Sequence, residues 1–136
     1  MGILDRKRIF VVEDDENNIG VITAILRHQG ATVLPDSWNS YTVQLLSDYM
    51  PVDMILLDLM LRGNLSGYDI FTAIKGNPAL AQVPVVAVSA SDAAVEIPRA
   101  KAMGFNGFIG KPISLHRFPQ QVLDSMNGRP LWLAES

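Results

Sequence analysis

The sequence has no cysteine in its 136 residues, which excludes disulfides, thiolate zinc sites and thiol nucleophiles. Charged residues are scarce at 18%, below the usual quarter, yet the hydrophobic fraction is 49%, so the chain is not a disordered one. There is no basic excess. Eleven Lys and Arg stand against fourteen Asp and Glu, a formal charge of -3 that argues against nucleic-acid binding and against an anionic membrane surface. No apolar run is long enough to span a membrane, and the opening Met-Gly-Ile-Leu-Asp-Arg-Lys-Arg lacks the apolar stretch of a signal peptide. Internal repeats and low-complexity segments are also absent. A cytoplasmic protein of one domain is the expectation, with a core large enough to need no covalent staples.

What is present is alternation. Ile9-Phe10-Val11-Val12, residues 31–34, Met54-Ile55-Leu56-Leu57, residues 84–88 and Phe108-Ile109 are short apolar runs, as strands covered on both faces are. Between them lie helical stripes. Ile19, Ile22, Ile25 and Leu26 form the first, with Asp15 or Asn17 as cap and Gly30 as stop. Trp38, Tyr41, Leu45 and Tyr49 form the second, and residues 66–76 carry the third through Tyr68, Phe71 and Ile74. The fourth contains Pro98, which disfavours helical dihedrals at Ile97 and is harmless only in a first turn, so this helix is expected to start near Pro98 and end by Gly104. Residues 91–97 would then be loop. Leu115, Phe118, Val122 and Met126 form the fifth stripe, ending at Asn127-Gly128.

The order is (βα) five times, and right-handed crossovers place helices on both faces of a five-stranded parallel sheet. Residues 1–128 make one domain and residues 129–136 a C-terminal tail, whose Pro-Leu-Trp-Leu core is expected to pack against that domain.

In a doubly wound α/β sheet, ligands bind beyond the carboxyl ends of the strands. The first strand ends in Glu13-Asp14-Asp15, the third in Asp58, the fourth in Ser89, and the fifth leads to Lys111-Pro112. Clustered carboxylates repel one another unless cations compensate. Lys111 supplies one charge, and Mg2+, which prefers a few carboxylate oxygens together with water and phosphate, would supply the rest. The constellation reads as a place where phosphate and Mg2+ meet an acidic group.

These residues resemble those of two-component response-regulator receiver domains. The match runs through Val-Val-Glu13-Asp14, Leu-Leu-Asp58, Val-Ser89-Ala90 and Gly107-Phe108-Ile-Gly-Lys111-Pro112, and covers about residues 8–126. The resemblance implies a flavodoxin-like sheet of order 2-1-3-4-5, of the chemotaxis-receiver type. It also implies that Asp58 accepts a phosphoryl group from a phosphohistidine on a sensor histidine kinase or histidine phosphotransfer protein. Asp14 would bind Mg2+ directly, Glu13 directly or through water, alongside Asp58 and the Met60 carbonyl. Lys111 would pair with Asp58 and then with the phosphoryl oxygens, and Ser89 would hydrogen-bond the group once it arrives. Phe108 matches the switch aromatic, and Lys111-Pro112 the family's cis peptide. Such a domain switches protein–protein interactions and is not a turnover enzyme, although it can phosphorylate itself from small donors and lose the group unaided.

The departures are local. The family usually has proline four residues beyond the acceptor and glycine eight beyond; here Arg62 and Gly67, nine beyond, imply one residue added within residues 62–66. Metal ligation should survive, because Met60 precedes the addition. A flavodoxin-like cofactor carrier is disfavoured, since its phosphate cradle would be Glu-Asp-Asp-Glu-Asn-Asn. No phosphate-binding Gly-x-x-x-x-Gly-Lys-Ser/Thr motif occurs, and Met60 stands where a Mg2+ phosphatase would carry its second acid. The alternative from another class is a pseudo-receiver, a binding module that works without phosphorylation. His28 and His116 read as surface histidines rather than phosphodonors.

Overall fold

The computed structural model describes residues 2–63 and 65–134. Strands β1 (Arg8–Val12), β2 (Thr32–Asp36), β3 (Met54–Asp58), β4 (Val85–Ser89) and β5 (Gly107–Gly110) alternate with helices α1 (Glu16–His28), α2 (Thr42–Tyr49), α3 (Gly67–Lys75), α4 (Ala93–Met103) and α5 (Phe118–Met126). A sixth strand, β6 (Trp132–Leu133), follows. All pairings are parallel and the order is β2-β1-β3-β4-β5-β6. The expected order 2-1-3-4-5 is therefore present, extended by one short strand.

Strand periodicity splits the core into two layers. Phe10, Val12, Ile55 and Leu57 face one side, where they meet Leu46 of α2, Ile70, Phe71 and Ile74 of α3 and Ala100 of α4. Ile9, Val11, Met54 and Leu56 face the other, where they meet Ile22 and Leu26 of α1 and Phe118 and Val122 of α5. Strands β1, β3, β4 and β5 bury both faces, which is why they read as unbroken apolar runs. Pro35 lies in β2, at the sheet's edge, where a missing amide interrupts no ladder on its outer side.

Local chemistry sets most helix ends. Asp15 caps α1 by accepting from the amides of Asn17 and Asn18, and Ser66 caps α3 through the Tyr68 amide. The second stripe is half inward: Trp38 and Tyr49 pack against the core, whereas Tyr41 and Leu45 are exposed and Thr42 and Leu46 are buried instead. Because α2 starts at Thr42, its inward face begins one residue later than the aromatic spacing suggests.

The fourth helix also departs from expectation. It begins at Ala93, with Pro98 inside it, so residues 93–97 are helix rather than loop. Asp92 caps it by accepting from the Ala94 amide, and Gly104 closes it at φ 103. Proline at this position deprives only the Ala94 carbonyl of a helical partner. Ala93 and Ile97 pack on the core, and the Tyr68 hydroxyl of α3 donates to the Glu96 carboxylate. Capping and tertiary contacts thus hold Ile97 helical against the bias from its proline neighbour.

The Pro-Leu-Trp-Leu segment packs on the sheet. Leu131 is buried, and Trp132 and Leu133 pair with Phe108 and Ile109 of β5. Among the described residues, no helix is long and apolar enough to cross a membrane.

Candidate functional site

Parallel strands in register bring their carboxyl ends to one edge of the sheet. Asp58 ends β3 opposite Val88, and Ser89 ends β4 opposite Gly110, so Lys111 emerges directly beyond β5. Its amide donates to the Ser89 carbonyl at 2.8 Å, and the Lys111-Pro112 peptide bond is cis. Met50-Pro51 is cis as well, away from this edge.

Glu13, Asp14 and Asp58 each offer a carboxylate oxygen, all within 4.8 Å of one another. Glu13 is 2% exposed and Asp58 7%, burial that ionised carboxylates tolerate only with partners. Lys111 Nζ lies 3.3 Å from Glu13 Oε2 and 3.4 Å from Asp58 Oδ2. Asn18 Nδ2 donates to Glu13 Oε1 at 3.2 Å, and the Met60 amide to Asp58 Oδ1 at 3.1 Å. One lysine does not balance three acids. Burial, then the hydrogen bond and charge of Asp58, push the Glu13 carboxyl up from 4.5 to about 7, with Lys111 and Asn18 pulling the other way. That surplus of negative charge fits a divalent cation, and oxygen ligands suit a hard one.

Asp58, Met60, Ser89, Ala90, Ser91 and Lys111 line a cleft of about 400 Å³. The Ser89 hydroxyl oxygen, almost fully buried, accepts from the Ser91 amide at 3.1 Å. The fold therefore gathers Glu13, Asp14, Asp58, Ser89 and Lys111. Phe108 is elsewhere, in the core, opposite Ala87 of β4 and Trp132 of β6.

Beyond β3, residues 59–61 and 65–67 pair as the two arms of a small hairpin. Met60 pairs with Ser66 in an antiparallel bridge, flanked by hydrogen bonds from the Leu61 amide to the Leu65 carbonyl (3.1 Å) and from the Gly67 amide to the Leu59 carbonyl (2.9 Å). Neither bond uses the Met60 carbonyl, which is thus not spent on the ladder. Gly67 is required here, since a Cβ would come within 2.6 Å of the Asp58 carbonyl oxygen and the Leu59 Cα.

Three polar contributors escaped the sequence reading: Asn18 at Glu13, the Arg62 amide, which donates to Asp14 Oδ2 at 2.6 Å, and Ser91, whose hydroxyl lies 2.9 Å from Met60 Sδ. Only Asn18 had a local signal, three residues after the capping Asp15. Both histidines are exposed.

Known proteins resemble this chain in sequence and fold. The polar-differentiation response regulator DivK of Brucella ovis is 28% identical over 116 residues, spanning 85% of this chain and 93% of its own. The phosphorylated cyanobacterial phytochrome response regulator RcpA superposes with a TM-score of 0.70 at 28% identity, over 85% of this chain and 88% of that one. The receiver domain of the sensor histidine kinase PA1611 of Pseudomonas aeruginosa, solved with magnesium in its active-site cleft, gives 0.74 at 26%, over 90% of this chain and 98% of that one. Residues 9–123 match the response regulator receiver domain family, a stretch that begins in β1 and ends in α5. With the sheet order and the acids at its carboxyl edge in agreement, the chain belongs to the response regulator receiver domains, a family of signal transduction.

Proposed function

We propose that this receiver domain accepts a phosphoryl group on Asp58 from a phosphohistidine, in a Mg2+-dependent step of a two-component phosphorelay. The observation that carries the reading is the placement of a buried Asp58 carboxylate 3.4 Å from Lys111 Nζ, at the mouth of a cleft shared with Ser89. A carboxylate oxygen of Asp58 attacks phosphorus, the phosphorus–nitrogen bond breaks, and its electron pair stays with the imidazole of the donor. An ionised carboxylate needs no general base.

Such transfer has a loose transition state with charge on the equatorial oxygens, so positioned cations do most of the work. Lys111 stays with the acceptor and follows the charge onto the phosphoryl oxygens. Ser89 turns its hydroxyl to one of them. Asp14, Asp58 and the Met60 carbonyl would hold Mg2+, with Glu13 bound directly or through water. The ion, when bound, neutralises charge on the phosphoryl group.

The donor is a sensor histidine kinase or histidine phosphotransfer protein. An apolar groove of about 450 Å³, which includes exposed Val21 and Leu115 and reaches Lys111, suits the docking of such a protein beside the acceptor. Phosphorylation then alters which proteins the domain binds, with Ser89 and Phe108 as its switch pair, and the activity is signalling in the cytoplasm rather than turnover.

Incubation with Mg2+ and acetyl phosphate, read by intact mass, tests this. Wild type should gain one phosphoryl group and Asp58→Asn none. Equal modification of both would show that the acceptor is another residue. A wild type that never gains the group, even from phosphohistidine donors, would favour the pseudo-receiver.

A further inference from the structure

Lys111 serves two of the three acids, Glu13 and Asp58. Half-buried Asp14 is held from another direction. The hairpin after β3 carries the Arg62 main-chain amide across to the loop after β1, where it meets Asp14 Oδ2 at 2.6 Å across 48 residues of sequence. A bond this short to a carboxylate is a charge-assisted one, about twice as strong as its neutral counterpart. The opposite side of the hairpin is tied to the loop after β4, through the Met60 thioether and the Ser91 hydroxyl.

We propose that the Arg62 amide is a positioning group for Asp14, and that the hairpin is thereby a working part of the cation site. The proposal rests on reading the acids as a Mg2+ site. Like charges on Glu13 and Asp58 drive an untethered Asp14 carboxylate toward water, away from the group. The amide occupies one lone-pair site on Oδ2 and leaves others of the carboxylate for the ion. Partners of this kind fix the orientation of a ligand before the metal arrives. The Arg62 side chain is exposed, so the role belongs to its main-chain N–H.

That distinction is testable with the full chain and Mg2+ alone. Trp38 lines a cavity together with Asp14 and Arg62 and serves as the fluorescence reporter, with calorimetry as a check. Arg62→Ala keeps the amide and should bind Mg2+ as wild type does. Arg62→Pro removes it and should bind about tenfold more weakly, the low end of the usual effect for such partners.

A second measurement needs no metal and no proline. In the metal-free protein the Arg62 amide proton should exchange slowly in wild type and at least tenfold faster in Asp14→Ala. Equal Mg2+ affinity in a folded Arg62→Pro and in Arg62→Ala would overturn the proposal, as would unchanged exchange in Asp14→Ala. If wild type binds no Mg2+, the metal reading itself fails, and the exchange measurement still decides whether the amide holds Asp14.

Discussion

Phe108 and Trp132 face each other in parallel register across β5 and β6, and the Phe108 amide donates to the Leu131 carbonyl at 2.7 Å. The strand that carries the proposed switch residue therefore has a neighbour on both sides, Ala87 of β4 and the C-terminal segment. Two glycines make the approach feasible. A Cβ on Gly107 would sit 2.8 Å from the Leu131 oxygen, and one on Gly110 would overlap the Ala134 carbonyl. Lys101 of α4 adds a cation 5.1 Å from the Trp132 ring.

Trp132→Ala should cost about 2 kcal/mol, less than a fully buried tryptophan because the ring is only half covered. Amide exchange at Phe108 should accelerate in the same variant, as β5 becomes an edge. Urea denaturation and residue-resolved exchange check both. A stability loss without faster exchange at Phe108 would place the effect elsewhere.

Gly67→Ala should destabilise by about 1–3 kcal/mol, since both atoms that a Cβ meets at 2.6 Å are main chain, at Asp58 and the residue after it. Phosphorylation of Asp58 should slow in the same variant. Thermal unfolding and the rate of mass gain with acetyl phosphate are the measurements.

Glu13 makes the metal-free protein sensitive to pH. Its carboxyl is raised from 4.5 to about 7 in the fold, so folding favours the protonated form. The stability this contributes is complete below pH 4.5 and is lost as pH rises through about 7. In the presence of a chelator, wild type should fall relative to Glu13→Gln across that window, as read from urea midpoints. Mg2+ affinity should rise over the same range, because a bound carboxylate must be deprotonated.

Pro98→Ala should stabilise the protein by about 1–3 kcal/mol, the cost of an interior proline less the stiffness it gives the unfolded chain. The start of α4 should stay at Ala93, because Asp92 and the packing of Ile97 set it. A shift of that start, seen in amide chemical shifts, would return the decision to the proline.

The central strands and the acids at their ends are legible in the chain because both are local patterns. An unbroken apolar run such as Met54-Ile55-Leu56-Leu57 announces burial on two faces, and the polar residue that ends it announces the sheet's carboxyl edge. Gly30 and Ser66 mark helix boundaries by their own conformational and hydrogen-bonding chemistry, and the structure places the caps there or one residue away. The inward face of α2 was not legible, since exposed Tyr41 and Leu45 have the same hydrophobicity that buried residues have.

What the sequence by itself determined is the (βα) alternation, the parallel sheet and the set of groups delivered to one edge, because short-range periodicity and strand ends encode them. Only the tertiary structure decided how α4 accommodates Pro98, where residues 131–134 lie, and what holds Asp14. Each of these depends on contacts between segments far apart in the chain: Ile97 on a core built by other elements, Trp132 beside Phe108, and the Arg62 amide on Asp14. A backbone amide has no side chain to reveal it, and a single proline or a short apolar tail is outweighed by the packing around it. Such choices are made by the energy of the assembled fold rather than by local preference.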